Sequence, residues 1–401
     1  MKKEKIAGFD RNVFFTGLTS FFTDTSTKML YSIMPLFLLS IGASKTTIAL
    51  IEGVAESTAS LIKAVSGRWS DKISKNKPFM IVGYGVTALV TPLYALVGLP
   101  VQVLILRFTE RIGKGLRAAP RDSLISNSIK GNEAGKNFGF HKAMDNSGAI
   151  LGPLFAFILL STFHLEYKYL FLLAGIPAII GVLTIILFIK ENNVKNNTQK
   201  EKPKFSLKLL PKKFYLFLGI IFVFTLGNSA DAFLLIKTTE TGIKQSYIPF
   251  MYMIFNVVSV FFAIPIGKIS DKKIGREKLI TLGFFVYAIV YFFFGLSNQI
   301  SVFILLFILY GFYSALTDIS QKAMISDIVD KELKGTAYGI YHAVLGITLL
   351  PASLTAGLLY DTVSSDAPFY FGAIMALAAT VLMFAFIILS KKNKQTLIES
   401  K

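Results

Sequence analysis

The chain has no cysteine, three histidines and one tryptophan, and only 16% of its 401 residues are charged, against about 25% in soluble globular domains. Without cysteine there is no disulfide, no thiolate nucleophile and no Cys-ligated zinc. His141, His164 and His342 are scattered, so no metal-ligand spacing exists, and neither a metal nor a cofactor is expected. The G-x-S-x-G elbow, the H-E-x-x-H helix and the Walker loop are missing as well, which speaks against an enzyme and against ATP-driven work. What abounds is apolar: 53% of the residues are hydrophobic and the mean hydropathy is +0.59.

A hydrocarbon core of about 30 Å needs about 20 mainly apolar residues per helical crossing. Apolar runs between polar breaks predict twelve helices, at 12–40, 47–66, 78–98, 101–127, 138–162, 168–189, 213–236, 246–266, 279–297, 300–326, 338–359 and 368–390. The first run carries Asp24 and Lys28 and lacks a cleavage site of small residues, so it reads as a retained helix and not as a signal peptide. Of the 42 Lys and Arg, 29 fall in the tails and loops on the side of the N-terminus, four on the other side (Lys45, Lys168, Lys237, Lys244) and nine inside helices. Short loops rich in Lys and Arg stay cytoplasmic during insertion, so a multi-pass protein of the inner cell membrane is expected, with both termini in the cytoplasm. The net charge of +18 is then an orientation signal. Nucleic acid is excluded as a partner, because the basic residues flank helices and no stacking platform accompanies them.

An internal repeat runs through the chain. Gly67-Arg-Trp-Ser-Asp71-Lys72 returns as Gly267-Lys-Ile-Ser-Asp271-Lys272, 200 positions later. In the same register Ile125-Ser126 matches Ile325-Ser326, Gly135 matches Gly335, and Phe138-Gly139 matches Tyr338-Gly339. Two related halves of six crossings each are parallel repeats about an axis along the membrane normal, with a site between them at mid-membrane. The expected division is a bundle over 1–189, a polar cytoplasmic linker over 190–212 and a second bundle over 213–401.

These motifs resemble those of the major facilitator superfamily, over essentially the whole chain. The family's loop signature between helices 2 and 3, G-x-x-x-D-[RK], is matched at Gly67, Asp71 and Lys72, and again at Gly267, Asp271 and Lys272. The run Arg111-Ile-Gly-Lys114-Gly115-Leu-Arg117-Ala-Ala119 is similar to the helix-4 signature of drug/proton antiporters, with Lys114 where Gln and Arg117 where Gly are usual. On helix 5, Gly148-Ala-Ile-Leu-Gly152-Pro153 is similar to the antiporter motif and ends in Ala156-Phe157. The resemblance implies an all-α membrane protein of twelve transmembrane helices in two pseudo-symmetric bundles. It implies a secondary transporter of alternating access whose partners are a small-molecule substrate, protons and the lipid bilayer, with a monomer as the expected state.

Charge inside the membrane marks the working parts, because each ion at the bilayer centre costs about 2.5–3.5 kcal/mol on insertion scales. Helix 4 places Arg107, Glu110, Arg111, Lys114, Arg117, Arg121 and Asp122 within one arc of about 140°. Helix 2 offers Glu52, Glu56 and Lys63 on one face, helix 1 offers Asp24 and Lys28, and helix 5 offers His141 and Asp145. Asp24 and Glu56 are the first choices to carry a proton, with Glu52, Glu110 and Asp145 behind. The substrate cavity is assigned to Lys28, Arg107, Arg111, Lys114, Asn228, Asp231 and Asn256, the second half contributing Phe and Tyr. Structural ion pairing, Asp24 with Lys28, Glu110 with Arg107 or Lys114, or Asp145 with a base of helix 4, is the competing role for these acids. Asp71 is expected to cap helix 3 and to meet Arg117 or Arg121, and Asp271 to meet Lys322, as a cytoplasmic gate. Gly148 and Gly152 should allow close helix approach and Pro153 a bend. The favoured function is proton-coupled efflux of a small organic or amphiphilic compound. The alternatives are uptake or exchange of an anionic metabolite and, in another class, a sensor or scaffold without transport.

Overall fold

The computed structural model describes residues 5–73, 75–128, 134–191, 209–272, 275–330 and 333–399. Most of the expected linker lies outside them, as do the side chains of Gly67, Asp71, Lys72, Asp271 and Lys272. A two-stranded hairpin, β1 (Lys5–Ile6) and β2 (Phe9–Asp10), leads into fourteen helical segments. In the first half these are α1 (Arg11–Tyr31), α2 (Met34–Ser40), α3 (Lys45–Ile73), α4 (Lys77–Leu93), α5 (Pro100–Ser128), α6 (Ala134–Ser161) and α7 (Tyr167–Phe188). In the second they are α8 (Lys212–Gly227), α9 (Ala232–Thr239), α10 (Ile248–Lys272), α11 (Arg276–Leu296), α12 (Ile300–Ile328), α13 (Lys334–Thr362) and α14 (Ala367–Glu399). Counting α1 with α2 and α8 with α9 as one crossing each gives the twelve expected, and both termini lie on one face.

Two crossings expected to be continuous are broken, and they are the first of each half. Pro35 near the start of α2 has no amide to give the turn before it, so the first crossing interrupts at Ser32 and Ile33. The seventh interrupts at 228–231, where Asn228 and Ser229 follow Gly227, residues whose side chains compete for backbone hydrogen bonds. The short segments after the breaks end alike: Gly42 has φ +84° and Gly242 φ +78°, a left-handed closure that glycine makes without strain. These two glycines stand 200 positions apart, in the register of the sequence repeat.

Packing repeats as well. α1 lies against α6 and α7 as α8 lies against α13 and α14, α3 against α5 as α10 against α12, and α4 against α5 as α11 against α12. The two six-helix bundles meet through α3 with α13 and through α6 with α10. The α3–α13 contact is tight because it is built on glycine. A Cβ on Gly357 would come within 2.5 Å of Ala49 Cβ, and one on Gly53 within 3.2 Å of the Leu350 backbone.

Nine segments of the described residues are long and apolar enough to cross a membrane by length and composition. The three crossings that fall short contain α1, α3 and α5, and these carry the charged faces read from the sequence. α3 also runs to Ile73, past the expected end at 66, so Asp71 lies in its last turn and not at the start of the next helix. The amides of Asn76 and Lys77, at the start of α4, are taken instead by the Glu191 carboxylate at 3.0 and 2.8 Å. This capping comes from beyond the end of α7, while the side chain of Asp71, expected as a cap, lies outside the described residues.

Candidate functional site

Between the bundles lies a cavity of about 650 Å³. Its lining reaches Lys63, Arg121, Lys142, Lys322 and His342, all near the helix ends on the face that carries the termini, so it opens there. The opposite face is shut. Asp361 at the end of α13 accepts from the Thr46 amide at 2.8 Å and the Thr46 hydroxyl at 2.7 Å, and Lys45 stands 5.7 Å from the Tyr360 ring centre. Phe157 of α6 packs on Tyr247 and Phe250 of the second bundle. Tyr167 closes on Gln245 at 3.3 Å.

All nine Lys and Arg that the topology leaves inside helices line this one cavity: Lys28, Lys63, Arg107, Arg111, Lys114, Arg117, Arg121, Lys142 and Lys322. The acids on its wall are Asp24, Glu56, Glu110, Asp145, Asp231 and Asp318. α5 presents its basic face here because glycines press its flanks onto neighbouring helices. A Cβ on Gly113 would meet the Gly83 carbonyl of α4 at 2.7 Å, and one on Gly115 would meet Ile62 of α3 at 2.6 Å. Lys114, between them, is left facing the open space.

The bases of α5 are engaged to different degrees. Arg107, 1% exposed, donates to Glu52 at 2.5 Å and to Glu110 at 3.3 Å. Arg111 pairs with Glu56 at 2.8 Å. Arg117 donates to the Thr87 hydroxyl at 2.7 Å and stands 4.3 Å from the Tyr84 ring centre, and Arg121 pairs with Asp122 at 3.0 Å. Lys114 has no ion-pair partner within 4 Å among the described residues, and the same holds for Lys63, Lys142 and Lys322. Lys28 does not turn to Asp24 one helical turn away. It crosses to the other bundle and donates to the Tyr252 hydroxyl at 2.9 Å.

Asp24 and Asp145 are neighbours on the wall, and among the described residues neither has a Lys or Arg within 4 Å. α6 reaches α1 so closely at Gly148 that a Cβ there would sit 2.5 Å from the Phe21 carbonyl oxygen and 3.0 Å from Asp24 Cβ. Gly152 approaches the Thr25 carbonyl and Lys28 in the same manner, and Pro153 follows inside an unbroken α6. Asp145, one turn before Gly148, keeps one buried carboxylate oxygen without a hydrogen-bond partner. His141 is 3.8 Å away from it and is bound to Ser20 at 2.9 Å, a packed histidine about two turns from the start of α6.

The second bundle supplies a different wall. Asp231, at the break between α8 and α9, accepts from the Tyr310 hydroxyl at 2.7 Å. Asn228 accepts from Tyr287 at 3.2 Å and Ser229 pairs with Tyr291 at 3.2 Å. Tyr252, Phe255, Tyr310, Tyr313 and Tyr341 line the cavity.

Two sequence expectations are corrected. Asn256 is buried with its amide on the Tyr252 carbonyl at 2.7 Å and does not reach the cavity. Glu52 is sealed behind the wall at 1% exposure, fixed as the counter-ion of Arg107. Gly267 is half-buried with open space before it. The individual cavity tyrosines and Phe255 were not singled out from the sequence. Their signal was present as pairs three apart, Tyr252 with Phe255 and Tyr310 with Tyr313, which put two rings on one helix face.

Two pseudo-symmetric bundles joined at one face and parted by a charged pocket at the other define a multi-pass membrane transporter of small molecules, not an enzyme. The chain belongs to the Major Facilitator Superfamily, whose model matches residues 16–236 and 216–401. An uncharacterized MFS-type transporter of Methanocaldococcus jannaschii is 35% identical over 381 residues, covering 93% of this chain and 94% of that one. A multidrug resistance protein, MdtH, of Proteus mirabilis is 23% identical over 71% of each chain. Among solved structures, the POT family transporter PepTSo superposes with a TM-score of 0.78 at 12% identity, over 95% of this chain and 98% of that one. A nucleoside transporter, NupG, gives 0.76 at 15% identity, over 94% and 99%. These structural likenesses show the fold.

Proposed function

We propose that the chain moves a small organic anion together with protons, by alternating access of one central cavity, in uptake or exchange. The observation that carries this reading is the convergence of all nine intramembrane cations on a wall with six carboxylates. Once the pairs of Arg107, Arg111 and Arg121 are set aside, Lys28, Lys63, Lys114, Arg117, Lys142 and Lys322 face only Asp24, Asp145, Asp231 and Asp318. Uncompensated charge in a low-dielectric cleft attracts its counter-ion. A proton on Asp24 or Asp145 widens the excess, so proton and anion favour each other's binding. A cationic cargo would compete with the proton. Bundles 1–189 and 213–401 are the rocking bodies, joined by the linker 190–212, with the termini and the present opening in the cytoplasm. The motif residues Gly67, Asp71, Lys72, Gly267, Asp271 and Lys272, at the ends of α3 and α10, would close that side. The cavity is complete within one chain, in keeping with a monomer.

A second reading, proton-coupled efflux of a small organic or amphiphilic compound, is favoured by the multidrug resistance relatives and by the aromatic second wall. Transport in proteoliposomes with an imposed pH gradient tests both. Anion accumulation driven by an inward proton gradient supports the first reading, and extrusion of cationic or neutral amphiphiles supports the second. Flux indifferent to the gradient removes the proton, and binding without flux favours a sensor.

A further inference from the structure

The two walls of the cavity differ in kind, and the difference bears on what shape of anion fits. On the first bundle, Lys28 and Lys114 present ammonium groups. On the second, four rings form a continuous strip, with centroids 5.6 Å apart from Tyr252 to Phe255, 5.0 Å from Phe255 to Tyr310 and 5.3 Å from Tyr310 to Tyr313. The strip is assembled from α10 and α12 at three-residue spacing, so its members share a face on each helix. Two of its hydroxyls are already committed, Tyr252 to Lys28 at 2.9 Å and Tyr310 to Asp231 at 2.7 Å. Tyr252, Tyr310 and Tyr313 are nearly buried, and half-buried Phe255 is the member that turns a ring toward the cavity, with the other three packed behind and beside it.

A cage of aromatic rings with a carboxylate suits an organic cation, but here that position is filled. Lys28 Nζ stands 5.4 Å from the Tyr31 ring centre and 5.2 Å from that of Tyr252, a cation held by the protein itself. An incoming ammonium would have to evict it, whereas a flat ring would not.

We infer that the cargo is a carboxylate on a planar aromatic body, its acidic group between Lys28 and Lys114 and its ring on Phe255, which Tyr252, Tyr310 and Tyr313 back as one strip. This rests on the anion reading above and narrows it. Such a molecule touches both bundles at once, charge on one and ring on the other, so its binding couples their motion. The cavity volume of about 650 Å³ is within the range of small-molecule sites and leaves room for two fused rings.

The test is titration calorimetry of the full-length detergent-solubilised chain with 2-naphthoate, decahydro-2-naphthoate and 2-naphthylmethylammonium. The saturated acid has the same charge and a more hydrophobic body, so a merely greasy wall would prefer it. The expected result is 2-naphthoate at least tenfold tighter than its saturated counterpart. Phe255→Leu, which keeps apolar bulk without a ring, should bring that ratio toward one, and Lys114→Met should weaken both acids alike. Equal or tighter binding of the saturated acid overturns the ring strip and leaves anion transport standing. Preference for the ammonium compound, or no binding of either acid, overturns the anion reading with it.

Discussion

At the scale of single residues, the cavity separates ions that hold the protein together from ions left available. Arg107 is the clearest of the first group, buried with two carboxylates. Removing one partner of a buried ion cluster leaves the others without compensation, at about 3–5 kcal/mol. Arg107→Met should therefore lower the thermal midpoint of the detergent-solubilised protein strongly, and adding Glu52→Gln should recover part of the loss. A double variant as unstable as the single would mean that the charge of Glu52 is not the source. Asp24 and Asp145 belong to the second group, with no base within ion-pair distance among the described residues apart from the neutral-capable His141. Asp145→Asn should abolish accumulation driven by a pH gradient while sparing solute exchange across liposomes at equal pH; loss of both activities together would point to a structural role. That intramembrane acids and bases mark the site was legible from their cost in a bilayer. Which acid pairs with which base was not, because Arg107 has Glu110 on its own helix and yet finds its closest partner, Glu52, on a neighbouring one.

At the scale of elements, helix interfaces are set by where a side chain is missing. On α6 the contrast lies within one helix: a Cβ on Gly148 would collide with the α1 backbone, while one on Gly139 meets nothing within 4 Å. Gly148→Ala should cost about 1–3 kcal/mol as overpacking, whereas Gly139→Ala should be neutral or stabilise by about 0.5–1 kcal/mol through helix propensity. Thermal unfolding of the two variants side by side checks this, and equal effects would contradict the assigned contact. The sequence repeat and the apolar runs made the twelve crossings readable, with ends shifted by a few residues. The breaks near Ser32 and Asn228 were passed over because apolar runs stand on both sides of each, although Pro35 and the polar stretch Asn228-Ser229-Ala230-Asp231 mark them. The Glu191 cap on α4 was likewise hidden, because it reaches the amides of Asn76 and Lys77 from more than a hundred residues away in sequence.

At the scale of the whole molecule, the present state is held by a latch on the face opposite the termini. Asp361 of the second bundle caps the first turn of α3 in the first, alongside the Gly357 contact. The two bundles cannot separate there without breaking this cap, whose loss is typically worth about 1 kcal/mol. Asp361→Ala should thus shift the balance between the two openings by about fivefold toward the state open on the latched face. The absence of native cysteine makes this measurable with conservative reporters. Ser60 lines the cavity and Ser353 is buried in the α3–α13 contact beneath Gly53. In the otherwise native chain, Ser60→Cys should react with a water-soluble thiol reagent and Ser353→Cys should be protected. Adding Asp361→Ala should speed labelling at position 353 and slow it at position 60. Faster labelling at both positions would show general loosening, and no change at either would show that the cap does not bear on which face is open; either result removes the latch from the mechanism.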